Sequence, residues 1–462
     1  MKKSLIIALM LVACNVGQVS AQSQTPGVNQ EENLPLSLAE SIDIALNNND
    51  QIQSSQSGRE ASKWGLVSAQ RTTGPTAGWA SDFNRTRARK YGTYLYGTSY
   101  SNSWTLTIPI YTGGQLEGQI DKNRYLLNQA DLNLENIKQT VRYKTANAYA
   151  NLLHKKNETE IAKEAVEMSN SQLRLIHDQY SEGAVAKADV LMMEVRLANN
   201  RQTLMSAQGN LEIAKYDLIN VMGLSGTINV EPTDVFSYEP YPKELSECEE
   251  YALEHRPDGI AAEYGIKIAD ANKDSAKSGY RPKITGSIGR GIAGEKPFGM
   301  EDSDNLAASI NFKWNIFDNG ITSANVSQAD ALVQQSQFDA EYIKKNITWE
   351  TRTAYMKMKT AEKNIQEATA AVKQAEESYL IAQVRYEEGV DILLNLLDAQ
   401  ERLTQARSNY STALYQYNLY RVTLDKAMGV PVDLDVPRYV EAEKNGLSSD
   451  KALKSAEIHY NK

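Results

Sequence analysis

The sequence predicts a mainly α-helical chain with a β portion in a membrane, in which a β-hairpin followed by a long coiled-coil helical hairpin occurs twice. Three observations predict this fold class. The second half repeats the first half, each half carries strand-like alternation after a proline, and each half then keeps a helical period over a long proline-free stretch. The two halves can therefore be interpreted as two copies of one structural unit.

The internal repeat has a fixed offset of 206 residues and keeps its register without a gap. Loops are where insertions accumulate, so an unbroken register indicates continuous regular structure. Matched positions include Gly114/Gly320, Ala148/Ala354, Tyr149/Tyr355, Gly183/Gly389, Leu191/Leu397 and Gly223/Gly429.

The N-terminus has the order of a secretory signal peptide. Two lysines, Lys2 and Lys3, precede an apolar run from Leu5 to Ala13, and small residues lead to a cleavage point after Ala21. The run is too short to span a bilayer. A competing interpretation is a bacterial lipoprotein box that ends in Cys14, which would then be lipidated. Cleavage after Ala21 leaves the fuller signal length, and both interpretations predict export from a bacterial cytoplasm.

Composition narrows the class of protein. The formal net charge is −9, which disfavours nucleic acid as a partner. The mean hydropathy is −0.49, and no long apolar run follows the signal segment, so a helical membrane protein is excluded while a transmembrane β-barrel stays open. Cleavage after Ala21 would leave Cys248 as the one cysteine, so no intrachain disulfide is expected.

Each unit is expected to begin with two helical segments. The first is a short amphipathic helix, from Leu36 to Asn48 in one half and from Leu245 to His255 in the other. The second segment ends near a proline, Pro75 or Pro282, because proline cannot continue a helix.

Four strands are predicted after these prolines. The first of each pair covers Thr76 to Thr86 or Lys283 to Ala293, and the second follows the alternation Trp104 to Ile110 or Leu306 to Ile316. All are near the roughly 9–11 residues that cross a membrane as tilted strands. Between the first two strands we expect a basic extracellular loop, in contact with anionic lipid headgroups or with solvent alone, that contains Arg85, Arg87, Arg89 and Lys90.

Very long helices are predicted after the strands. No proline occurs from Gln115 to Glu231 or from Ile321 to Val430. Apolar residues recur every seven positions from Ile120 to Ala148, which is a coiled-coil seam. Glycine interrupts each helical stretch at one corresponding place, Gly183 and Gly389, so a helix of roughly 100 Å is expected to reverse there.

Four strands cannot close a membrane barrel, and an open edge in lipid leaves backbone groups unsatisfied. The barrel is therefore predicted to be shared between chains. Two chains would give eight strands, whose interior side chains fill, whereas three would give twelve. A hollow conduit favours the trimer.

The order and spacing of several short segments resemble the TolC family of bacterial outer-membrane export channels, over nearly the whole mature chain. The segments are Ile110-Tyr111-Thr112-Gly113-Gly114, Ile316-Phe317-Asp318-Asn319-Gly320, Tyr180-Ser181-Glu182-Gly183, Tyr386-Glu387-Glu388-Gly389, Asp189-Val190-Leu191 and Leu396-Leu397-Asp398-Ala399-Gln400.

The resemblance implies a homotrimer with a twelve-stranded barrel in the outer membrane, continuous with an α-helical tunnel across the periplasm. It implies a passive duct of a tripartite efflux or type I secretion system, opened at its periplasmic end by a periplasmic adaptor (membrane fusion) protein and an inner-membrane transporter. No cofactor is implied. The alternative is a periplasmic coiled-coil structural or adaptor protein without a barrel, although adaptors carry one helical hairpin and this chain has two.

The resemblance also divides the chain into segments around an equatorial region. The expected segments are a signal peptide (1–21), an N-terminal equatorial segment (22–49), repeat 1 (50–223), an inter-repeat equatorial segment (224–257), repeat 2 (258–429) and a C-terminal equatorial tail (430–462).

The resemblance places the functional residues at the hairpin tips. The adaptor-binding tips would contain Tyr180, Gly183, Tyr386 and Gly389. At the entrance gate, Asp398 matches one position of a carboxylate ring and Asn395 occupies the other. Asp189 and Tyr386 match a lock between helices, but Asp391 stands at the position of the lock's arginine. Lys187 is the cation that we expect to pair with Asp391 or Asp189.

Two further predictions come from the residues themselves. Aromatic side chains near the strand ends, favoured as a membrane-interface belt over ordinary β-propensity, are Trp79, Trp104, Phe312 and Trp314. The four histidines are scattered without metal-ligand spacing, and no catalytic constellation is present, so neither a metal site nor an enzyme is expected.

Overall fold

The structure is a computed structural model that describes residues 32–225, 228–297 and 303–458. The predicted signal peptide and Cys14 lie outside these residues. The elements in chain order are β1 (Glu32–Leu36), α1 (Leu38–Asn48), α2 (Asp50–Arg71), β2 (Thr76–Lys90), β3 (Thr93–Tyr111), α3 (Gln115–Ser181), α4 (Lys187–Val221), β4 (Ile228–Pro232), α5 (Leu245–His255), α6 (Pro257–Lys277), β5 (Lys283–Gly294), β6 (Ser303–Lys313), α7 (Ile321–Glu387), α8 (Leu393–Met428), α9 (Val436–Lys444) and α10 (Ser449–Ala456).

The duplicated helical hairpins are confirmed. α3 and α7 each have 67 residues, so each is roughly 100 Å long at 1.5 Å per residue. Both begin after a glycine with positive φ, 91° at Gly114 and 84° at Gly320, a conformation that other residues adopt at a cost. α4 and α8 return antiparallel along α3 and α7. Within the described ranges, no helix is long and apolar enough to cross a membrane.

The two β-hairpins form one antiparallel sheet with the order β2-β3-β5-β6. The first hairpin is longer than predicted, with 15 and 19 residues against 12 and 11 in the second. The prediction of a basic loop between the first two strands is wrong, because Arg85 to Lys90 lie within β2. Strand pairing continues as far as Lys90 and Thr93. The turn is Tyr91-Gly92, with φ of 52° and 84°, as in a tight type I′ hairpin.

The two faces of the sheet differ in chemistry, as expected for a sheet with lipid on one side only. The strand register places apolar side chains on one face, namely Trp104, Leu106, Ile108, Ile110, Ile288, Leu306, Ile310 and Phe312. The opposite face carries small and polar side chains, among them Ser101, Ser103, Thr105, Thr107, Ser287, Asn305, Ser309 and Asn311.

The chain segments around the middle of the helices contain elements that the sequence did not predict. β1 pairs in parallel with β4, and α1 begins at Leu38 rather than Leu36 because Ser37 caps it together with Glu40. α9 and α10 fold the C-terminal tail against α3 and α6, where Tyr264 and Tyr439 lie in one buried cluster.

A buried carboxylate on α3 holds the start of the C-terminal tail. Glu135 accepts the backbone N–H groups of Val432 at 2.7 Å and Leu434 at 3.2 Å. Burial raises the pKa of Glu135, while the N–H group of Val432 opposes that rise. Arg142 donates to the carbonyl of Pro431 at 2.9 Å. The tail is therefore fixed to α3 by hydrogen bonds between α3 side chains and the tail backbone as well as by apolar packing.

Candidate functional site

The candidate site is the pair of hairpin tips, where the long helices reverse. At the first tip Gly183 has a φ of 77°, and at the second Gly389 has a φ of 71°. The N–H of Ala184 donates to the carbonyl of Gln179 at 2.8 Å, and the N–H of Val390 donates to that of Arg385 at 2.9 Å. These are the six-to-one bonds of a Schellman motif, which requires the left-handed residue that glycine supplies. Both tips therefore have the same backbone geometry.

A small apolar core joins the two tips within one chain. We call it the tip cluster, and its buried members are Ile176, Val190, Met193, Leu393, Leu396 and Leu397. The first three belong to α3 and α4 and the last three to α8. The tips therefore pack against each other instead of standing apart.

Two glutamine–tyrosine contacts lie beside the tip cluster. The hydroxyl of Tyr386 donates to Gln179 Oε1 at 3.0 Å, and one heptad earlier Gln172 Nε2 donates to the hydroxyl of Tyr379 at 3.5 Å. Burial raises the pKa of Tyr386, and the charge of Asp189 adds to the rise. Both tyrosines lie on α7 and both glutamines on α3, so these contacts tie the two helical hairpins together.

Tyr386 thus has a hydrogen-bond partner that the sequence analysis missed. Asp189, which the resemblance assigns to the same lock, accepts the N–H of Ala186 at 3.2 Å and caps the start of α4. A helical glutamine such as Gln179 has no sequence signal of its own. Its offset of 207 residues from Tyr386, close to the repeat offset, is the one trace that could have indicated the contact.

Asp391 has partners within its own tip, and the expected pairing of Lys187 with Asp391 or Asp189 stays a prediction. Asp391 accepts a hydrogen bond from Asn395 Nδ2 at 2.6 Å, and it lies 3.2 Å from Arg385 Nε. The hydrogen bond from Asn395, together with the nearby Arg385 charge, keeps the pKa of Asp391 below its usual value. The arginine comes from the last turn of α7, so the second tip contains its own charge pair.

Asp398 lies on α8 beyond the tip, where it forms an ion pair with Arg402. The two charged groups are 2.9 Å apart, and their side chains are 57% and 73% exposed. Pairs of this kind, four residues apart on a helix, contribute only about 0.3–0.5 kcal/mol when they are exposed. The carboxylate ring stays a prediction. In such a ring, each Asp398 carboxylate would have the guanidinium of Arg402 beside it.

The predicted aromatic belt divides into two levels of the sheet. Trp79 and Trp104 lie opposite each other in the strand register, on the apolar face. Phe312 lies near the end of β6 that leads to α7, and the indole N–H of Trp314 just beyond it donates to the carbonyl of Tyr280 at 3.1 Å. All four side chains are exposed. Their role as a belt stays a prediction. Over the described part of the chain, no group of three or more His, Cys, Asp or Glu residues could hold a metal ion.

Comparisons with known proteins identify the class to which this fold and these tips belong. The family model described as "Outer membrane efflux protein" matches residues 41–224 and 250–430. The chain belongs to this family. It is an outer-membrane channel of the efflux and secretion type that extends into the periplasm, and the alternative of a periplasmic structural or adaptor protein is not favoured.

Individual relatives are distant but cover most of the chain. The chain is 22% identical over 342 residues to the pyoverdine export outer membrane protein OpmQ of Pseudomonas putida, which covers 74% of this chain and 72% of OpmQ. It is 21% identical over 404 residues to the outer membrane protein TolC of Escherichia coli, with 84% and 81% covered. The Campylobacter jejuni CmeC outer membrane channel shares the fold, with a TM-score of 0.76 at 18% identity over 98% of this chain and 99% of that chain. The resemblance to the TolC family is thereby confirmed.

The Tyr386–Gln179 contact generates a prediction about the closed state of the tips. Tyr386→Phe removes a hydroxyl whose hydrogen bond is worth about 1 kcal/mol and leaves Gln179 without that partner. We expect a higher single-channel conductance in planar bilayers, because the hairpins separate more readily. Tyr216→Phe makes the same change at an exposed position of α4 and should match the wild type. Equal conductance of Tyr386→Phe and the wild type would show that this contact does not hold the tips closed.

Proposed function

We propose that three copies of this chain form a passive export duct, with a twelve-stranded barrel in the outer membrane and a helical tunnel in the periplasm. The observation that carries the proposal is the strand order β2-β3-β5-β6. β2 and β6 are the edges of the sheet and pair with no further described strand. All neighbours in the sheet are antiparallel, so β6 of one copy can pair with β2 of the next in the same sense. Repeating this contact closes a ring without an edge.

The chemistry of the two sheet faces supports a water-filled duct. The apolar face suits contact with lipid, and the serine, threonine and asparagine face suits an aqueous lumen. Two copies would give eight strands, whose interior side chains fill, whereas twelve leave room for a conduit. We propose that the duct itself is passive and that its partners drive transport.

The exposed apolar residues near the tips support a protein partner in the periplasm. Val390, Ile392 and Leu394 at the second tip are 68%, 61% and 57% exposed. Apolar surface of this kind on a protein in water is typical of an interaction site. We propose that the partner is a periplasmic adaptor protein coupled to an inner-membrane transporter, and that it opens the duct by displacing the tips.

The trimer prediction is tested by the mass of the purified protein. The precursor mass is 51.4 kDa, so three mature chains should give about 150 kDa after subtraction of detergent. Light scattering of the protein in detergent measures this mass, and circular dichroism measures its β-structure. A monomer that retains its β-structure would contradict the proposal, because open sheet edges in detergent would then be stable.

The adaptor prediction is tested at the tip glycines. Valine at Gly183 or Gly389 would have to adopt a positive φ, at a cost on the order of 1–3 kcal/mol. A Cβ at either position would meet no atom within 4 Å beyond the adjoining residues, so the change should disturb the tip alone. We expect several-fold weaker cross-linking to the adaptor and loss of dye export, with an intact trimer. Gly209→Val, in the interior of α4 with equally open surroundings, is the control. Normal export by both tip variants would show that the tips are not the adaptor-binding site.

The gate prediction is tested with opposite charge changes at one ion pair. If Asp398 faces the lumen, three copies concentrate cations at the entrance. Asp398→Ala should then lower cation selectivity and weaken block by trivalent cations, while Arg402→Ala should raise both. Reversal potentials in a salt gradient measure selectivity. Asp339→Ala, which removes an exposed carboxylate of α7, is the matched control. If the two changes do not shift selectivity in opposite directions, the carboxylate ring is absent from this position.

A further inference from the structure

The outer part of the β2–β3 hairpin stands beyond the rest of the sheet. β3 pairs with β5 only from Tyr100 to Tyr111, whereas its pairing with β2 continues to Thr93. The segment Thr93–Ser99 therefore extends as a two-stranded ribbon, roughly 23 Å long at 3.3 Å per residue. The long helices leave the opposite end of the sheet. Since those helices extend into the periplasm, the ribbon lies on the extracellular side of the outer membrane.

One face of this ribbon combines arginine with tyrosine. Arg85, Arg87 and Arg89 alternate along β2 and therefore share a face, opposite Thr98, Tyr96 and Tyr94 in the register. The guanidinium of Arg87 lies 3.7 Å from the centre of the Tyr94 ring, and that of Arg89 lies 5.7 Å from it. These are cation–π contacts, which orient a guanidinium without neutralising it.

The three arginines place positive charge on the exposed surface of the ribbon. In the ranges 32–225, 228–297 and 303–458, no carboxylate forms an ion pair with Arg85, Arg87 or Arg89. Their side chains are exposed. Arg85 faces Thr98 across the ribbon, so its guanidinium is available for a ligand. The chain as a whole has a net charge of −9, so this face has a charge opposite in sign to that of the whole chain.

The arginine–tyrosine face continues the lipid-facing side of the sheet. On β2 the same face carries Trp79 and then Phe83, which lies opposite Tyr100 and is the outermost apolar side chain before the arginines. At about 3.4 Å per residue and a strand tilt of about 40°, Arg87 stands roughly 10 Å and Arg89 roughly 16 Å beyond Phe83. The headgroup layer of an ordinary phospholipid is only about 5–8 Å thick. The ligand must therefore project further from the membrane than a phospholipid headgroup.

The chemistry of the face defines that ligand. Guanidinium groups bind phosphate through paired, charge-assisted hydrogen bonds. The tyrosine rings offer a flat surface with a polar edge, which suits the face of a sugar ring. We propose that Arg85, Arg87 and Arg89, together with Tyr94 and Tyr96, bind the phosphorylated sugar headgroup of an anionic glycolipid in the outer leaflet. This contact would anchor the channel laterally, and it goes beyond the proposed transport function.

The test measures glycolipid binding by the full chain in nanodiscs of zwitterionic lipid. The titrants are lipopolysaccharide, its dephosphorylated form and phosphatidylglycerol. We expect lipopolysaccharide to bind at least about tenfold more tightly than either of the others, since each phosphate contact is charge-assisted. Equal binding of phosphatidylglycerol would overturn the glycolipid assignment, because it would show a surface that responds to negative charge alone. Equal binding of the dephosphorylated form would overturn the role of phosphate.

Matched variants locate the site. Arg85→Gln/Arg87→Gln/Arg89→Gln should lose about tenfold or more in affinity. Lys345→Gln/Lys363→Gln/Lys373→Gln, at exposed positions of α7, removes the same charge and should bind normally. Because loss of the ring contacts could disturb the ribbon, Arg85→Gln alone is the second variant, and it should lose about threefold with an unchanged β-sheet spectrum. Unchanged affinity in both arginine variants would overturn the proposal and leave the arginine–tyrosine contacts a structural role only.

Discussion

The open edges of the β2-β3-β5-β6 sheet are the constraint on which the rest of the structure depends. A backbone N–H or C=O group without a partner costs several kcal/mol in hydrocarbon. A single chain cannot satisfy the outer sides of β2 and β6, which are its edge strands. Identical copies can satisfy one another, because the two edges have complementary direction. The duplication supplies this arrangement, since each unit contributes one hairpin and one pair of long helices.

The helices obey a different constraint, because they must stay paired over roughly 100 Å in water. They are held by separate buried clusters rather than by one continuous core. The largest clusters lie where additional segments cover the helices. Tyr149 donates to the carbonyl of Leu36 at 2.9 Å, and Tyr417 donates to the carbonyl of Glu239. Toward the tips the described residues form a smaller buried cluster, the tip cluster, so the tips are the part of the helices that can separate at the lowest cost.

The sequence predicts the regular elements well because glycine and proline mark their ends. α5 begins and ends at the predicted residues, Leu245 and His255. The length of the first hairpin could not be predicted in the same way, because a segment with alternating arginines has the composition of a polar loop. Only the strand pairing, which places tyrosines opposite these arginines, shows that the segment is part of a strand. Short elements such as β1 and α10 depend on distant partners. The contacts of Tyr386 and Asp391 depend on how one helix is rotated against another, which periodicity alone does not fix.

The charges near the tips suggest how closure is divided between packing and electrostatics. Asp391 has Arg385 and Asn395 as partners within its own tip. Asp398 has Arg402, and Asp189 accepts a backbone N–H group. None of these three carboxylates needs a cation from another helical hairpin. The contacts between hairpins are the tip cluster and the two tyrosine–glutamine pairs, which are uncharged, together with an ion pair between Arg196 of α4 and Glu401 of α8. Salt should therefore weaken the Arg196–Glu401 part of closure and leave the tip cluster unaffected, because screening acts on charges and not on apolar packing.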